Sequence, residues 1–83
     1  MTAVVTVYSR QGCHLCEQML TELNELRLSY PFDVVVIDVD NHPQLRVRYD
    51  HLLPVLSLDD EEVCHYTLDV AALWRALNVK VVV

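Results

Sequence analysis

The chain is short of several residue types, and each shortage excludes a class of protein. One glycine and three prolines among 83 residues are too few for a low-complexity or collagen-like chain. Three cysteines are too few, and odd in number, for a secreted disulfide scaffold. Six basic residues stand against twelve acidic ones, so the chain lacks the basic face of a nucleic-acid binder. We therefore expect no nucleic-acid partner.

Apolar residues are numerous but come in short runs. They make up 53% of the chain, which excludes an intrinsically disordered protein. No run approaches the ~20 residues that a membrane-spanning helix needs. The first residues also lack the basic and apolar regions of a signal peptide. The sequence therefore predicts a monomeric cytoplasmic protein without a membrane partner, with one domain over residues 1–83 and a C-terminal tail from 78 to 83.

The apolar pattern predicts seven elements in the order β-α-β-α-β-β-α. Strands are predicted over residues 3–8, 33–39, 55–58 and 63–66, and helices over about 14–28, 43–50 and 69–77. The first two strands flank a helix and should be parallel, whereas the last two should form an antiparallel hairpin. Because the strands are so apolar, we expect a four-stranded mixed sheet with helices on both faces. The second strand is predicted to be buried.

Local signals predict where the helices begin and which faces they bury. Leu15, Met19 and Leu23 recur at helical spacing and predict the apolar face of the first helix. Asn41 or Asp40 is predicted to cap the second helix. Asp69 is predicted to cap the last helix, after an acidic turn over residues 59–62.

Two cysteines, Cys13 and Cys16, form a C-x-x-C motif where the first predicted strand gives way to a helix. At a helix N-terminus, free backbone N–H groups and the helix dipole favour an anion such as a thiolate. An ordinary thiol, with a pKa of about 8.5, is only a few per cent ionised at pH 7. We therefore predict thiol–disulfide exchange, in which Cys13 attacks and the more buried Cys16 resolves the mixed disulfide.

We expect nearby cations to lower the pKa of the Cys13 thiol, because a helix dipole alone supplies only roughly 0.3–2 kcal/mol. An imidazole is partly protonated near pH 7, so His14, between the two cysteines, is one candidate. Arg10, three residues before Cys13, is the other, and its guanidinium is always charged.

The same cysteines also fit a metal-binding module for copper, zinc or an iron–sulfur cluster. Cys13, His14, Cys16 and Cys64 would supply the ligands. Small copper chaperones also place C-x-x-C after a first strand, but they have no helix between the second and third strands. The helix predicted over residues 43–50 therefore favours the oxidoreductase, with no bound metal or cofactor.

The segment Tyr8–Cys16, Y-S-R-Q-G-C-H-L-C, resembles the glutaredoxin pattern of strand, basic residue and C-P-Y-C. Leu53-Pro54-Val55 is similar to the T-V-P of that family, and Tyr66-Thr67 with Asp69 and Trp74 to the start of its last helix. The C-x-L-C site is similar to that of small, mostly bacterial glutaredoxin-like proteins. The resemblance implies an α/β fold, the thioredoxin-like fold of glutaredoxin type.

The resemblance also implies a substrate groove. Pro54 would be cis and lie beside the cysteines, so that the Leu53 main chain could pair with an extended substrate. The implied groove residues are Tyr8, Leu53, Pro54, Cys64 and His65. The implied partner is a disulfide-containing protein or a glutathione mixed disulfide, with glutathione as co-substrate.

Cys64 and His65 differ from the pattern that they resemble. They are placed at the position of the family's Gly-Gly pair, where their side chains would crowd glutathione. Free cysteine in a strand is most often a small buried residue. In a regular strand Val63 and His65 would point to the face opposite Cys64.

Overall fold

A computed structural model describes residues 2–78. Its sheet has the strand order β2-β1-β3-β4, with β1 and β2 parallel and the other neighbours antiparallel. The strands are β1 (Val4–Ser9), β2 (Asp33–Asp38), β3 (Val55–Leu58) and β4 (Glu61–His65). The helices are α1 (His14–Leu26), α2 (Pro43–Tyr49) and α3 (Val70–Ala76), and a turn of 3₁₀ helix covers Val39–Asn41. The predicted element order is confirmed, whereas the tail beyond residue 78 lies outside the described residues.

Helices cover both faces of the sheet, as predicted. On one face, α1 and α3 pack on β1 through a buried cluster of Val5, Val7, Met19, Leu23, Phe32, Leu56 and Leu73. On the other face, Tyr49 of α2 is buried with Val39 and Val55, and Tyr8 packs against them. Alternate residues of β1 therefore face different helices, which is why this strand carries apolar residues on both faces.

The prediction that β2 is buried is wrong. Val35 and Val36 of this strand are 46% and 49% exposed. β2 lies at the edge of the sheet, so it has a neighbour on one side only. The short helix α2 packs on Tyr8 and Val55, in the two central strands, and does not reach this edge.

The buried face of α1 also differs from the prediction. Cys16, Met19 and Leu23 are buried, but Leu15 is 42% exposed. The buried residues follow the spacing i, i+3 and i+7, so the apolar face begins at Cys16 rather than at Leu15. This rotation of the helix turns the second cysteine into the core.

Two predicted helix and strand boundaries need correction. The β3–β4 turn contains only Asp59 and Asp60, both with positive φ, so β4 begins at Glu61 instead of residue 63. A two-residue hairpin turn of this kind favours Asp and Asn, which tolerate positive φ. At α2 the cap residue is His42, without a side-chain cap bond, rather than Asp40 or Asn41.

The cap predicted for the last helix is confirmed. The Asp69 side chain accepts a hydrogen bond from the Ala72 N–H at 3.0 Å and so caps α3. None of the helices in the described part of the chain has the length and apolar character needed to span a bilayer.

Replacement of Leu23 by alanine tests the core. We expect Leu23→Ala to lower the free energy of unfolding by about 2–5 kcal/mol, because it leaves a cavity between α1 and the sheet. Leu28→Ala is the matched control: Leu28 is 89% exposed, so its loss should change stability by less than about 0.5 kcal/mol. Urea unfolding of both variants gives the comparison, and equal losses would contradict this packing.

Candidate active site

The strand register brings four segments together at one end of the sheet, where β1 ends and β3 begins. Tyr8 near the end of β1 pairs with Val55 at the start of antiparallel β3. The loop that leads to Cys13 follows β1, and Leu53–Pro54 precede β3 directly. β2 runs parallel to β1, and β4 runs antiparallel to β3, so both strands also end here. Gly12, with φ 74°, allows the tight turn into α1.

The structure joins Cys13 and Cys16 in a disulfide, with Cα atoms 5.2 Å apart. Cys13 is the N-cap residue of α1, and its sulfur accepts a hydrogen bond from the Cys16 N–H at 3.2 Å. Cys16 is only 2% exposed, whereas Cys13 is half-buried at the surface end of the helix. A substrate from solvent therefore reaches the Cys13 sulfur first.

Arg10 lies in a cluster of charges that the sequence pattern did not reveal. Its Nε and Nη2 each donate to an Asp40 carboxylate oxygen at 3.0 Å, and Nη2 also donates to Asp50. These hydrogen bonds, first those that Asp40 accepts and then the one that Asp50 accepts, raise the pKa of Arg10 further above its ordinary value. One positive charge thus faces two negative ones, which weakens its pull on a thiolate at Cys13. Tuning of Cys13 by Arg10 stays a prediction.

The predicted groove segment has the backbone form that the resemblance implies. The Leu53–Pro54 peptide is cis, and Pro54 is buried. Tyr8 stacks on Tyr49 of α2, with ring centroids 4.5 Å apart. Among the described residues, the main chain of Leu53 has no hydrogen-bond partner. It therefore retains a free N–H and C=O beside the start of β3.

Cys64 and His65 have different surroundings in the structure. Cys64 pairs with Leu56 and packs against the α1–α3 side of the core, and burial raises the pKa of its thiol. A β-bulge opposite Leu56 and Ser57 lets Val63 pack on the same side, so Val63 does not point away from Cys64 as predicted. The Nδ1 atom of His65 lies 2.9 Å from Glu62.

The backbone is extended at Cys64 and His65, the position predicted for a Gly-Gly pair. Cys64 and His65 both lie within β4, and neither is among the described residues with positive φ. The residue that follows, Tyr66, has φ 65°, a conformation that favours glycine. Its N–H donates to the Pro54 carbonyl at 2.9 Å. Tyr66 therefore lies beside Pro54, a placement that the sequence pattern did not indicate, since tyrosine gives no signal for positive φ.

The sequence and the fold both match known proteins. Residues 4–78 match the family model described as a glutaredoxin-like domain (DUF836). The chain belongs to this glutaredoxin-like family. It is 34% identical over 70 residues to the uncharacterized protein Rv0508 of Mycobacterium tuberculosis, with 78% of this chain and 72% of the relative covered.

Solved structures show the same fold. Protein Ne2328 of Nitrosomonas europaea superposes with a TM-score of 0.84 at 36% identity, covering 90% of this chain and 91% of that chain. Protein XcR50 of X. campestris gives 0.72 at 25% identity, covering 93% and 99%. Thioredoxin 1 of Thermosipho africanus gives 0.59 at 15% identity, covering 90% of both chains, and shows that the glutaredoxin-like domain has a thioredoxin-like fold. This fold and the close Cys13–Cys16 pair are compatible with a thiol oxidoreductase.

The metal-binding alternative needs at least three clustered ligands. Within residues 2–78 of this glutaredoxin-like domain, no three His, Cys, Asp or Glu side chains are grouped closely enough to hold a metal ion. Cys64 packs against the core on the α1–α3 side, and His14 is exposed. The predicted ligand set of Cys13, His14, Cys16 and Cys64 is therefore not assembled.

The charge cluster predicts a pH-dependent contribution to stability. The hydrogen bond from Arg10 holds the pKa of Asp50 below its ordinary value of 3.8. A carboxyl with a lowered folded-state pKa stabilises the fold above its ordinary pKa, and this contribution disappears as pH falls through the folded-state pKa. We expect Asp50→Asn to be modestly less stable than wild type at pH 7.

The difference should shrink as pH falls from about 4 to about 2. Urea unfolding across this range measures it. Glu25→Gln, an exposed helix position without an ion pair among the described residues, removes one charge elsewhere and serves as control. A constant difference between wild type and Asp50→Asn at all pH values would contradict this role of the carboxylate.

Proposed function

We propose that the domain is a thiol–disulfide oxidoreductase in which Cys13 is the nucleophile and Cys16 the resolving cysteine. The observation that carries the proposal is the placement of the two sulfurs at the start of α1. The Cys13 sulfur accepts the Cys16 N–H at the accessible helix end, while Cys16 is buried within bonding distance behind it. A partial positive charge at a helix N-terminus favours a thiolate at Cys13.

The exchange proceeds in two steps that balance. The Cys13 thiolate attacks one sulfur of a substrate disulfide, forms a mixed disulfide and releases the other substrate sulfur as a thiolate. The Cys16 thiol loses its proton, attacks Cys13 and releases the second substrate sulfur. The substrate is thereby reduced by two electrons and the Cys13–Cys16 pair is oxidised. Two glutathione thiols, the proposed co-substrate, then reduce this pair and become glutathione disulfide.

The proposed substrate is a disulfide-containing protein or a glutathione mixed disulfide. The free main-chain N–H and C=O of Leu53 support an extended substrate, because an extended peptide can form main-chain hydrogen bonds with them beside the start of β3. The substrate disulfide would then lie between Leu53 and the accessible Cys13 sulfur.

Serine variants of the three cysteines test the proposal. We expect Cys13→Ser to lose at least about a hundredfold of disulfide-reducing activity, since it removes the nucleophile. Cys16→Ser should retain the attack but accumulate a mixed disulfide at Cys13. Cys64→Ser is the matched control and should keep the activity, because burial raises the pKa of this thiol and holds it in the unreactive form.

The measurement is intact mass spectrometry in graded glutathione buffers, with thiol trapping and peptide mapping. A loss of two protons that maps to Cys13 and Cys16 is expected in the oxidised wild type. A pair that stays reduced in every buffer, or activity that survives Cys13→Ser, would refute the proposal.

His14 is the cation proposed to tune the pair. We expect His14→Ala to reduce the thiolate fraction of Cys13 and to lower the reduction potential, by ~30 mV for each tenfold change in the equilibrium with glutathione. His14→Lys, which places a permanent positive charge at this position, is the matched control and should not lower the potential. If all three proteins have the same potential, His14 does not tune the site.

A further inference from the structure

Tyr66 combines an unfavourable backbone conformation with a fixed side chain. Its φ of 65° lies in the left-handed region, which crowds a bulky side chain but costs glycine little. Such backbone outliers in natural proteins gather at binding sites, where the surrounding structure holds them in place. The proposed exchange steps at Cys13 and Cys16 do not require this side chain.

Two hydrogen bonds hold Tyr66 along the groove segment. Its N–H donates to the Pro54 carbonyl at 2.9 Å, and its hydroxyl donates to the His51 carbonyl at 2.6 Å. The residue is thus tied to both ends of the segment 51–54, which contains Leu53. The His65 ring packs edge-on against the Tyr66 ring, with centroids 4.6 Å apart. The Tyr66 ring is therefore held in a fixed position beside the segment that contains Leu53.

Tyr66 nevertheless remains 45% exposed. The two carbonyls that Tyr66 bonds, of His51 and Pro54, flank the main chain that the proposed function pairs with a substrate. A ring that is already held offers apolar contact area with little further loss of side-chain entropy on binding. An apolar side chain of an extended substrate would gain by packing there, whereas a substrate without such a side chain would not.

We propose that Tyr66 is a specificity-determining residue on which an apolar side chain next to the substrate cysteine packs. The inference rests on the proposed exchange function and names its substrate class, a polypeptide disulfide with apolar residues beside the cysteine. Cys13 supplies the chemistry, and Tyr66 selects among the disulfides that reach it.

The test compares two neutral peptide disulfides that differ only in the residues beside the cysteine. One is the symmetric disulfide of acetyl-Leu-Cys-Leu-amide, and the other that of acetyl-Gly-Cys-Gly-amide. Reduced wild-type protein should react about tenfold faster with the leucine peptide, a factor that partial burial of leucine supplies. Each peptide disulfide is also reacted with free cysteine amide. The rate with the protein is divided by this second rate, which removes any difference in reactivity between the two disulfides themselves. Hydroxyethyl disulfide, which has no side chain to pack, reports the thiol chemistry alone.

Four variants separate the ring from its backbone. Tyr66→Gly and Tyr66→Asn remove the ring while tolerating positive φ, and they should lower the preference to about twofold or less. Tyr66→Phe keeps the ring and should keep the preference. Asp60→Gly, at another positive-φ position at the far end of the sheet, is the control for backbone relief and should change nothing.

The outcomes are distinguishable. A wild type that reacts equally with both peptides, or a preference that survives in both Tyr66→Gly and Tyr66→Asn, overturns the role of Tyr66. A wild type that also fails to react with hydroxyethyl disulfide overturns the exchange function, and the selection with it. Loss of the preference in the two ring-less variants, with an unchanged rate for hydroxyethyl disulfide, supports the inference.

Discussion

The chemistry proposed for this domain depends on one hydrogen bond, from the Cys16 N–H to the Cys13 sulfur at the start of α1. The bond exists because the chain turns from β1 into α1 within a few residues, which the positive φ of Gly12 permits. The buried face of α1, through Met19 and Leu23, fixes the rotation of the helix. That rotation directs Cys16 into the core and leaves Cys13 at the accessible end, so apolar packing determines which sulfur solvent reaches.

The charge around the site is shared among three segments of the chain. Arg10 comes from the loop after β1, Asp40 from the turn after β2, and Asp50 from the end of α2. Exposed ion pairs of this kind add little stability, but two carboxylate partners restrict where Arg10 and the loop before Cys13 can lie. The same pairing weakens the positive charge that Arg10 presents. More of the thiolate stabilisation therefore falls to the N-terminus of α1.

The parts of the fold that depend on neighbouring residues were predictable. The C-x-x-C motif at a strand-to-helix junction, the Asp69 cap and the β3–β4 hairpin follow from local spacing. The exposure of β2 was not predictable, since it depends on the strand order and not on the residues of the strand. The partners of Arg10 are 30 and 40 residues away along the chain, so no local pattern indicates them.

The positive-φ residues show why the groove was the least predictable part. Asp59, Asp60 and Asn78 are residue types that tolerate this conformation, and their own chemistry accounts for them. Tyr66 is different, because only contacts with a distant segment account for its backbone. Those contacts are carbonyl groups of His51 and Pro54, which would be present whatever side chains stood there. A glycine at position 66 could keep the main-chain bond to Pro54 but not the ring beside Leu53. The conformation is therefore compatible with the fold without tyrosine, and within the chain the ring adds the hydroxyl bond to His51 and the edge-on contact with His65.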